Sequence, residues 1–243
     1  MKRKSAELKR WAREAMIGKW GLVIGAGALS TLITLAVLMP FYMMYLSNPE
    51  NVGMSIMCFL AAFMVGVISM VLQCGLFKIH LGIARRQEVN IAMLFHEFVN
   101  RPDRYIVGYL LLMLLSAVCI APGYICLLVG IAQKQMVAMI IGGVLLIAGM
   151  VALIVLSLRY ALIFLLLTDQ GQIKVVEAYH ESARLMKGNQ GRFFYISLSF
   201  IGWKFLGMLS WGIGMLWIIP YQTQTTISFY QELLGELDTK TID

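Results

Sequence analysis

The side chains able to carry chemistry are few, and their spacing does not favour a metal site. The only histidines are His80, His96 and His180. His96-Glu97 and His180-Glu181 are adjacent pairs on predicted helices, so the two side chains of each pair point about 100° apart. Residues that share an ion on a helix lie at i and i+4, as in an HExxH motif, and that spacing is absent from the sequence. We therefore predict no metal centre.

Nucleophilic catalysis has equally little support in the sequence. No G-x-S-x-G turn occurs, and the acidic residues fall in predicted loops, tails or interfacial helices rather than in apolar runs. Cys58, Cys74, Cys119 and Cys126 lie inside apolar runs without a CxxC motif, which is typical of small buried hydrophobic residues. We predict that the protein is not an enzyme and has neither catalytic residues nor a cofactor.

Basic residues inside apolar runs are the more informative signal, because a Lys or Arg at the bilayer centre costs about 2.5 to 3.5 kcal/mol on insertion scales. Lys78, Arg159 and Lys204 are the candidates. Each could extend to the membrane surface along its aliphatic stem. Alternatively, Arg159 or Lys204 faces the bundle interior and binds an anionic group such as a lipid phosphate.

A polar stretch directly follows Pro220 in the last apolar segment, which is unusual for a chain in lipid. Amide and hydroxyl side chains at residues 221–226 can line a wet cavity or bond to neighbouring helices, and the sequence leaves both interpretations open. The candidate polar path through the membrane consists of Arg159, Lys204, Tyr221, Gln222 and Gln224.

The composition indicates which elements must position these residues. The chain is 60% hydrophobic and 14% charged, which is too apolar for a soluble core of 243 residues. Since about 20 apolar residues cross a bilayer, we predict an all-α, polytopic transmembrane helix bundle with six spans in a single membrane domain, 1–243. The predicted spans are 22–46, 53–84, 106–131, 136–168, 193–209 and 213–230, preceded by an N-terminal amphipathic helix in 1–19 and followed by a tail in 231–243.

Three local features modify this picture. The first apolar run is too long for a cleaved signal peptide, so we interpret it as an uncleaved anchor, with Pro40 as a kink near its outer end. A second proline, Pro122, predicts a break in the third span. The last hairpin depends on Gly212 and Gly214, because without a turn there residues 193–220 would form one long helix and leave five spans.

The distribution of Lys and Arg predicts the orientation in the membrane. The basic residues cluster before the first span, after the second and after the fourth, whereas the opposite loops contain only Lys134. Cytoplasmic loops are enriched in Lys and Arg, so we expect both termini in the cytoplasm. The residues on this side are Lys2, Arg3, Lys4, Lys9, Arg10, Arg13, Lys19, Arg85, Arg86, Arg101, Arg104, Lys174, Arg184, Lys187, Arg192 and Lys240.

Each predicted hairpin follows an amphipathic segment on that side. The first helix has Ser5 as a plausible N-cap and places Leu8, Trp11, Ala12, Ala15 and Met16 on one face. The second covers about 91–98. The third covers about 173–186 and presents Val176, Tyr179, Ala183 and Met186. Residues 16–21 and 186–191 share a methionine and two glycines at one offset, which suggests a repeat of amphipathic helix and hairpin, with chance as an equally good explanation.

Short motifs near the C-terminus resemble a known family. They are LMKGN at 185–189, LSFIGW at 198–203, GIG at 212–214, WIIPY at 217–221 and Phe229-Tyr230, and the N-terminal segment ends in GKWG at 18–21. Together these motifs resemble the bacterial domain-of-unknown-function family 975 over essentially the whole chain. The resemblance implies a six-helix protein of the bacterial plasma membrane, with no assigned reaction or substrate.

Two classes of function remain open at this stage. The first is an envelope scaffold or accessory protein that contacts anionic lipid headgroups, with a membrane-protein partner or a second copy of the chain as possible partners. The candidate contacts with anionic lipid are Lys19, Lys187, Gly188, Asn189 and Arg192. The second is a small transporter, channel or lipid-translocating protein that uses the polar path. The basic residues lie on interfacial segments, which fits lipid headgroups and argues against nucleic acid.

Overall fold

The computed structural model describes residues 3–239, and the side chains of residues 3–237. Within that range the chain is all-α. Lys2 and Lys240, both expected on the cytoplasmic side, lie outside the described residues. The helices are α1 Ser5–Ala15, α2 Trp20–Ser47, α3 Val52–Ala84, α4 His96–Val99, α5 Asp103–Ala132, α6 Met136–Arg159, α7 Ile163–Asp169, α8 Val175–Met186, α9 Gln190–Leu198, α10 Ile201–Leu209, α11 Met215–Leu233 and α12 Glu236–Thr239, with a 3-10 helix at Ile91–Phe95 before α4.

Four segments among the described residues are long and apolar enough to cross a membrane. They are Trp20–Ser47, Val52–Ala84, Asp103–Ala132 and Met136–Asp169, with mean hydropathies of 2.3 to 2.9. Many of their large apolar side chains are exposed, including Leu32, Phe59, Val118 and Val144. An apolar surface of this extent is stable in lipid and not in water, so the fold is that of a membrane protein with four candidate spans.

The predicted fourth span, 136–168, is divided into two helices. Helix α6 ends at Arg159, and α7 begins at Ile163 after a turn. Ser182 of α8 accepts a hydrogen bond from the Leu162 N–H and donates one to the Arg159 carbonyl, so it satisfies backbone groups that the turn frees. Residues 162–167 are buried, and α7 therefore lies inside protein rather than in lipid.

The predicted spans 193–209 and 213–230 form an antiparallel hairpin, here named the third hairpin. Its turn, at residues 210–214, places Trp211 and Gly212 at φ of 55° and 82°. At the other end Arg192 pairs with Glu232 at 2.8 Å, and the rings of Phe193 and Phe229 lie 5.4 Å apart. One long helix over 193–220 is therefore excluded. Neither arm meets the length and hydropathy of the four candidate spans.

The prolines interrupt their helices less than the sequence suggests. Pro40, Pro122 and Pro220 all lie inside continuous helices, α2, α5 and α11. The break expected at Pro122 and the proline-broken last helix are therefore wrong. Helices in a bundle tolerate an internal proline because neighbouring groups and local adjustments satisfy the freed carbonyl.

One end of the bundle, here named the inner end, contains most of the buried core. Both described ends of the chain lie there, because the Arg3 N–H donates to Glu232 at 2.6 Å and its guanidinium donates to the Leu237 carbonyl. Helix α7 lies in this core and packs against α3, α5 and α8. The same core also includes Leu8, Tyr105, Ala178, Met186, Ile196, Phe200, Ile227, Phe229, Tyr230 and Leu237.

Glycines bring α5 and α6 into close contact. A Cβ at Gly142 would lie 2.6 Å from the Leu127 amide nitrogen, one at Gly123 would lie 2.6 Å from the Leu146 amide nitrogen, and one at Gly149 would collide with the Cys119 carbonyl. Gly21 and Gly25 of α2 behave differently, because a Cβ at either would meet nothing within 4 Å. The glycines of α6 pack against a helix, whereas the Gly21-x-x-x-Gly25 motif does not.

The suggested repeat has the same local structure in its first and last copies. The Glu7 carboxylate accepts from the Lys4 N–H, and the Glu177 carboxylate accepts from the Lys174 N–H. Each helix then ends in a buried methionine, Met16 or Met186, followed by a glycine with positive φ. Lys4, not Ser5, is the N-cap of α1. In α8 the fully buried residues are Ala178, Ser182 and Met186. Of the predicted face, Met186 is buried, Tyr179 packs half-buried against the core and Ala183 is half-buried, whereas Val176 is exposed.

Candidate functional site

A cavity of about 400 Å³ lies between α2, α3 and α11. It is formed where the third hairpin packs against the inner halves of the first two long helices. The residues that line it are Val23, Ile24, Gly27, Ala28, Ser30, Thr31, Gln73, Leu76, His80, Gly212, Met215, Leu216, Ile219, Pro220 and Thr223. Its size is in the range of small-molecule sites, and it is mostly apolar with a few polar groups, as such sites usually are.

The polar groups of the cavity are uncharged. Ser30, Thr31, Gln73, His80 and Thr223 contribute them, and none of the lining residues is Lys, Arg, Asp or Glu. The Thr31 hydroxyl donates to the Gly27 carbonyl, and the Thr223 hydroxyl donates to the Ile219 carbonyl. Since each hydroxyl proton is used within its own helix, the two oxygens remain as hydrogen-bond acceptors.

His80 is held in one orientation by Gln224. Its Nδ1 lies 2.6 Å from the Gln224 Oε1, and the amide nitrogen of Gln224 lies 3.4 Å from the His80 carbonyl oxygen. The amide oxygen can only accept, so Nδ1 carries the proton and Nε2 of the neutral ring is an acceptor. Within residues 3–239 Nε2 has no hydrogen-bond partner. His80 is 2% exposed and lines the cavity, so it offers a fixed acceptor to a ligand.

The hydroxyl groups of the other residues in 221–226 have hydrogen-bond partners within the protein. The hydroxyls of Thr225 and Thr226 donate to carbonyls one turn earlier in α11, and the Tyr221 hydroxyl donates to the Lys9 carbonyl. Gln222 is half-buried and does not line the cavity. The stretch therefore acts in two ways: Thr223 faces the cavity, and Gln224 bonds α11 to α3.

The two basic residues proposed for the polar path lie elsewhere. Arg159 is exposed as the last residue of α6, with its guanidinium 5.8 Å from the ring centroid of Tyr160. Lys204 is half-buried in α10. Neither lines the cavity, and neither does Tyr221 or Gln224. The structure therefore does not join the five predicted residues into one path.

The predicted contacts with anionic lipid divide into two groups. Lys19, Lys187 and Gly188 are exposed, and Lys19 and Lys187 flank the equivalent glycine turns at Gly18 and Gly188. Asn189 is half-buried and donates to the Leu185 carbonyl. Arg192 pairs with Glu232 and donates to the Arg3 carbonyl, so it closes the third hairpin.

Two buried ion-pair networks at the inner end were not predicted. Lys78 donates to Glu97 at 2.9 Å and lies 2.7 Å from His96 Nδ1. The Glu97 carboxylate also accepts from the Tyr105 hydroxyl. The ammonium group of Lys78 therefore reaches the predicted interfacial segment 91–98, and the neighbours His96 and Glu97 do converge on it. Burial opposes ionisation of Glu97, but the hydrogen bonds from Tyr105 and Lys78 outweigh it and hold the pKa below the ordinary value.

The second network joins three distant parts of the chain. Arg85 pairs with Asp169 and, at 2.6 Å, with Glu236, and the Tyr230 hydroxyl donates to Asp169. Burial alone would raise the pKa of Glu236. The hydrogen bonds from Arg85 and Gln231 lower it by more, so the pKa lies below its ordinary value. The hydrogen bonds to Asp169 and Glu236 raise the pKa of Arg85. Because every one of these charges is paired, the network holds α3, α7 and α12 together rather than offering a free charge.

A larger, more open groove of about 750 Å³ lies beside α8. Its charged lining residues include Glu177, Glu181 and Arg184, and the last two form a 2.6 Å ion pair at the surface. Among the described residues no group of three or more His, Cys, Asp or Glu is arranged to hold a metal ion. The groove has no ordered polar acceptor comparable to His80, so the cavity is the better candidate.

Comparison with known proteins adds a family but no activity. A family model described as "Protein of unknown function (DUF975)" matches residues 1–236. No curated protein and no solved structure matches the chain.

Proposed function

Because the chain belongs to the family of unknown function DUF975, we propose a function from its own geometry: it is an integral membrane protein that binds an amphipathic ligand in the cavity between α2, α3 and α11. The observation that carries this proposal is the His80 ring, which Gln224 fixes so that Nε2 faces an otherwise largely apolar cavity. Nε2 has no hydrogen-bond partner within residues 3–239, so a ligand in the cavity can donate a hydrogen bond to it.

The lining defines the chemistry of the ligand. Nε2 of His80 and the oxygens of Thr31 and Thr223 are acceptors, so they favour a polar group that donates hydrogen bonds, such as a hydroxyl or an amine. Val23, Leu76 and Ile219 suit an apolar body. No charge lines the cavity to pair with a phosphate, which favours the neutral part of a lipid or a small neutral amphipathic molecule over an anion.

Filling the cavity tests the proposal. Gly27 lines it, and a Cβ at Gly27 would meet nothing within 4 Å, so Gly27→Leu should occupy the cavity without displacing the backbone. Gly25 lies on the same helix, has equally open surroundings and does not line the cavity, so Gly25→Leu is the matched control. Native mass spectrometry of detergent-purified protein measures the membrane-derived molecules that each variant retains.

We expect the wild type and Gly25→Leu to retain the same bound molecule in similar amounts. Gly27→Leu should retain at least tenfold less of it per protein. Photolabelling with a diacylglycerol and with a fatty acid, each bearing a diazirine on the acyl chain, separates a lipid ligand from a smaller one. Equal retention by Gly27→Leu, or an empty wild type, would refute the proposal.

A second candidate function is an envelope scaffold that contacts anionic lipid. The supporting observation is that Lys19 and Lys187 are exposed beside equivalent glycine turns at the inner end. The protein is reconstituted in vesicles that contain both phosphatidylglycerol and phosphatidylcholine and is then purified. The lipid that co-purifies with the wild type should have a higher ratio of phosphatidylglycerol to phosphatidylcholine than the vesicles. Replacement of both lysines by Gln should remove that excess, whereas Lys134→Gln, in the opposite loop, should not. A partner protein or a second copy of the chain is compatible with this role.

We propose binding rather than transport, because Arg159, Lys204 and Gln222 do not extend the cavity into a path. The proposed location is a bacterial plasma membrane, with the inner end in the cytoplasm. The proposed function is binding without enzymatic activity. The clustering of basic residues in the segments at that end supports this orientation. Fusion of a cytoplasm-dependent fluorescent reporter to the C-terminus tests it, and absence of fluorescence with full-length expression would reject it.

A further inference from the structure

The third hairpin extends less far from the inner end than the two hairpins formed by α2 with α3 and by α5 with α6. The inner half of α11 is packed in protein, since Gln224, Thr225, Ile227, Ser228, Phe229, Tyr230 and Gln231 are buried. Only α10, the turn and residues 215–221 of α11 project from the inner core. Most of their side chains are apolar, and many are exposed, including Phe205, Met208, Trp211 and Ile213, whereas Lys204 is half-buried. The projecting part is therefore short as well as apolar.

Contacts with α2 and α3 fix the depth of this hairpin. The rings of Tyr221 and Trp20 lie 6.5 Å apart, and Gln224 bonds to His80, so the start of α2 and the end of α3 lie at the level of residues 221–224. Six residues separate Tyr221 from Met215, a rise of about 9 Å. Met215 and Gly212 line the same cavity as Thr31 and Gln73. The tip of the hairpin therefore lies beside Thr31.

Both neighbouring helices continue far beyond that level. From Thr31 to Ser47 helix α2 rises about 24 Å, and from Gln73 to Val52 helix α3 rises about 32 Å. The hydrocarbon core of a bilayer is about 30 Å thick. If α2 and α3 cross it, about 24 Å or more of their length lies beyond the tip, so the tip lies within the leaflet at the inner end, short of the bilayer middle.

From this relationship we propose that residues 201–221 form a re-entrant hairpin: it enters the bilayer from the inner end, turns at Trp211 within the leaflet at that end, and contacts the acyl chains of that leaflet only. The protein then has four spans and one re-entrant hairpin instead of six spans. The hairpin supplies the Gly212 to Thr223 wall of the cavity, so that wall exists in only one leaflet. The inference requires membrane embedding but not ligand binding.

Fluorescence quenching by brominated phosphatidylcholines tests the depth of Trp211. The protein is reconstituted in vesicles with bromines near the headgroup, midway along the acyl chain or near its methyl end. The difference between the wild type and Trp211→Phe isolates the signal of this tryptophan. Trp211 is 96% exposed, so the substitution removes little packing. In the Trp211→Phe background, Leu32→Trp and Leu46→Trp provide depth references at two exposed positions of α2.

We expect Trp211 and Leu32→Trp to be quenched most by bromines midway along the acyl chain, and Leu46→Trp most by those near the headgroup. A Trp211 profile that matches Leu46→Trp would overturn the proposal. Strong quenching of Trp211 by aqueous iodide would do the same, since it would place the tip in water. Ligand retention by the wild type is measured separately, so a spanning hairpin would refute this inference without refuting the cavity.

Discussion

Gly18 and Gly188 adopt nearly the same backbone conformation, with φ of +76° and +74°, and each lies two residues before the first helix of a hairpin. Arg101, at φ of 57°, has the same position before α5. A single residue in the left-handed region therefore turns the chain from an inner segment into a hairpin three times. This recurrence supports a threefold repeat of inner helix and hairpin, with sequence identities retained mainly in the first and last copies.

The two glycine turns should not tolerate a side chain. Neither Gly18 nor Gly188 has an atom within 4 Å of an added Cβ, so Gly18→Ala and Gly188→Ala are penalised by backbone conformation alone. We expect each to destabilise the protein by about 1–2 kcal/mol, seen as a lower Tm in detergent. Gly21→Ala and Gly191→Ala, in helices with equally open surroundings, should be neutral or slightly stabilising. Equal effects in both pairs would contradict the conformational explanation.

Gln224 should matter more to stability than Gln222. Gln224→Leu leaves the Nδ1–H of His80 buried without an acceptor, which costs about 1–3 kcal/mol. Gln222 is half-buried, and its side chain has no hydrogen bond within residues 3–239, so Gln222→Leu should change the Tm little. Thermal unfolding of the two purified variants measures the difference. A larger loss in Gln222→Leu would show that the His80–Gln224 bond does not stabilise the helix pair.

The contact between α5 and α6 should be sensitive to a single methyl group. In Gly142→Ala the new Cβ would lie 2.6 Å from the Leu127 amide nitrogen, so the two helices must separate. We expect a loss of about 1–3 kcal/mol. Gly143→Ala adds a Cβ that meets nothing within 4 Å and is the matched control. If both variants melt like the wild type, the two helices do not approach each other this closely.

Stability should fall in acid because of Glu97. Its pKa is lowered in the folded protein, so its contribution to stability is complete above the ordinary value of 4.5 and is lost as the pH falls through the folded value. The Tm should therefore be nearly constant from neutral pH to about pH 5 and decline below it. Glu97→Gln should have a lower Tm at neutral pH and a flatter acid profile.

Glu14→Gln is the control for this experiment, because Glu14 forms only an exposed pair with Arg10 on α1. Its acid profile should follow that of the wild type. A Glu97→Gln profile as steep as that of the wild type would assign the acid sensitivity to another group, such as Glu236.

Local signals in the sequence predict local structure well. The hairpin turn at Gly212 and the methionine and glycine pattern of the repeat depend on neighbouring residues, and the structure has both. The end of α6 at Arg159 has no such signal, because the backbone groups of its turn are satisfied by Ser182, a residue of another helix. His80 and Gln224 are likewise far apart in sequence, so neither one indicates the other.

Membrane depth is the property that hydropathy reports least well. Residues 201–221 are largely apolar, yet their reach is set by where α11 packs on α3. In the same way, residues 162–167 are apolar because they fill a protein core, and the sequence gives no means to distinguish that core from lipid.

The core that contains α7 determines when the protein can finish folding. That core also includes Ile227, Phe229, Tyr230 and Leu237, which are synthesised about sixty residues after α7. At the elongation rates of about 5–20 residues per second typical of translation, α7 waits several seconds for them. The four long helices can insert one after another as they leave the ribosome, but the inner core closes only after α11 is complete. During that interval an apolar helix is exposed without the rest of its core. The nascent chain should therefore be bound by chaperones and cleaved by proteases most readily after α7 and before α11 is synthesised.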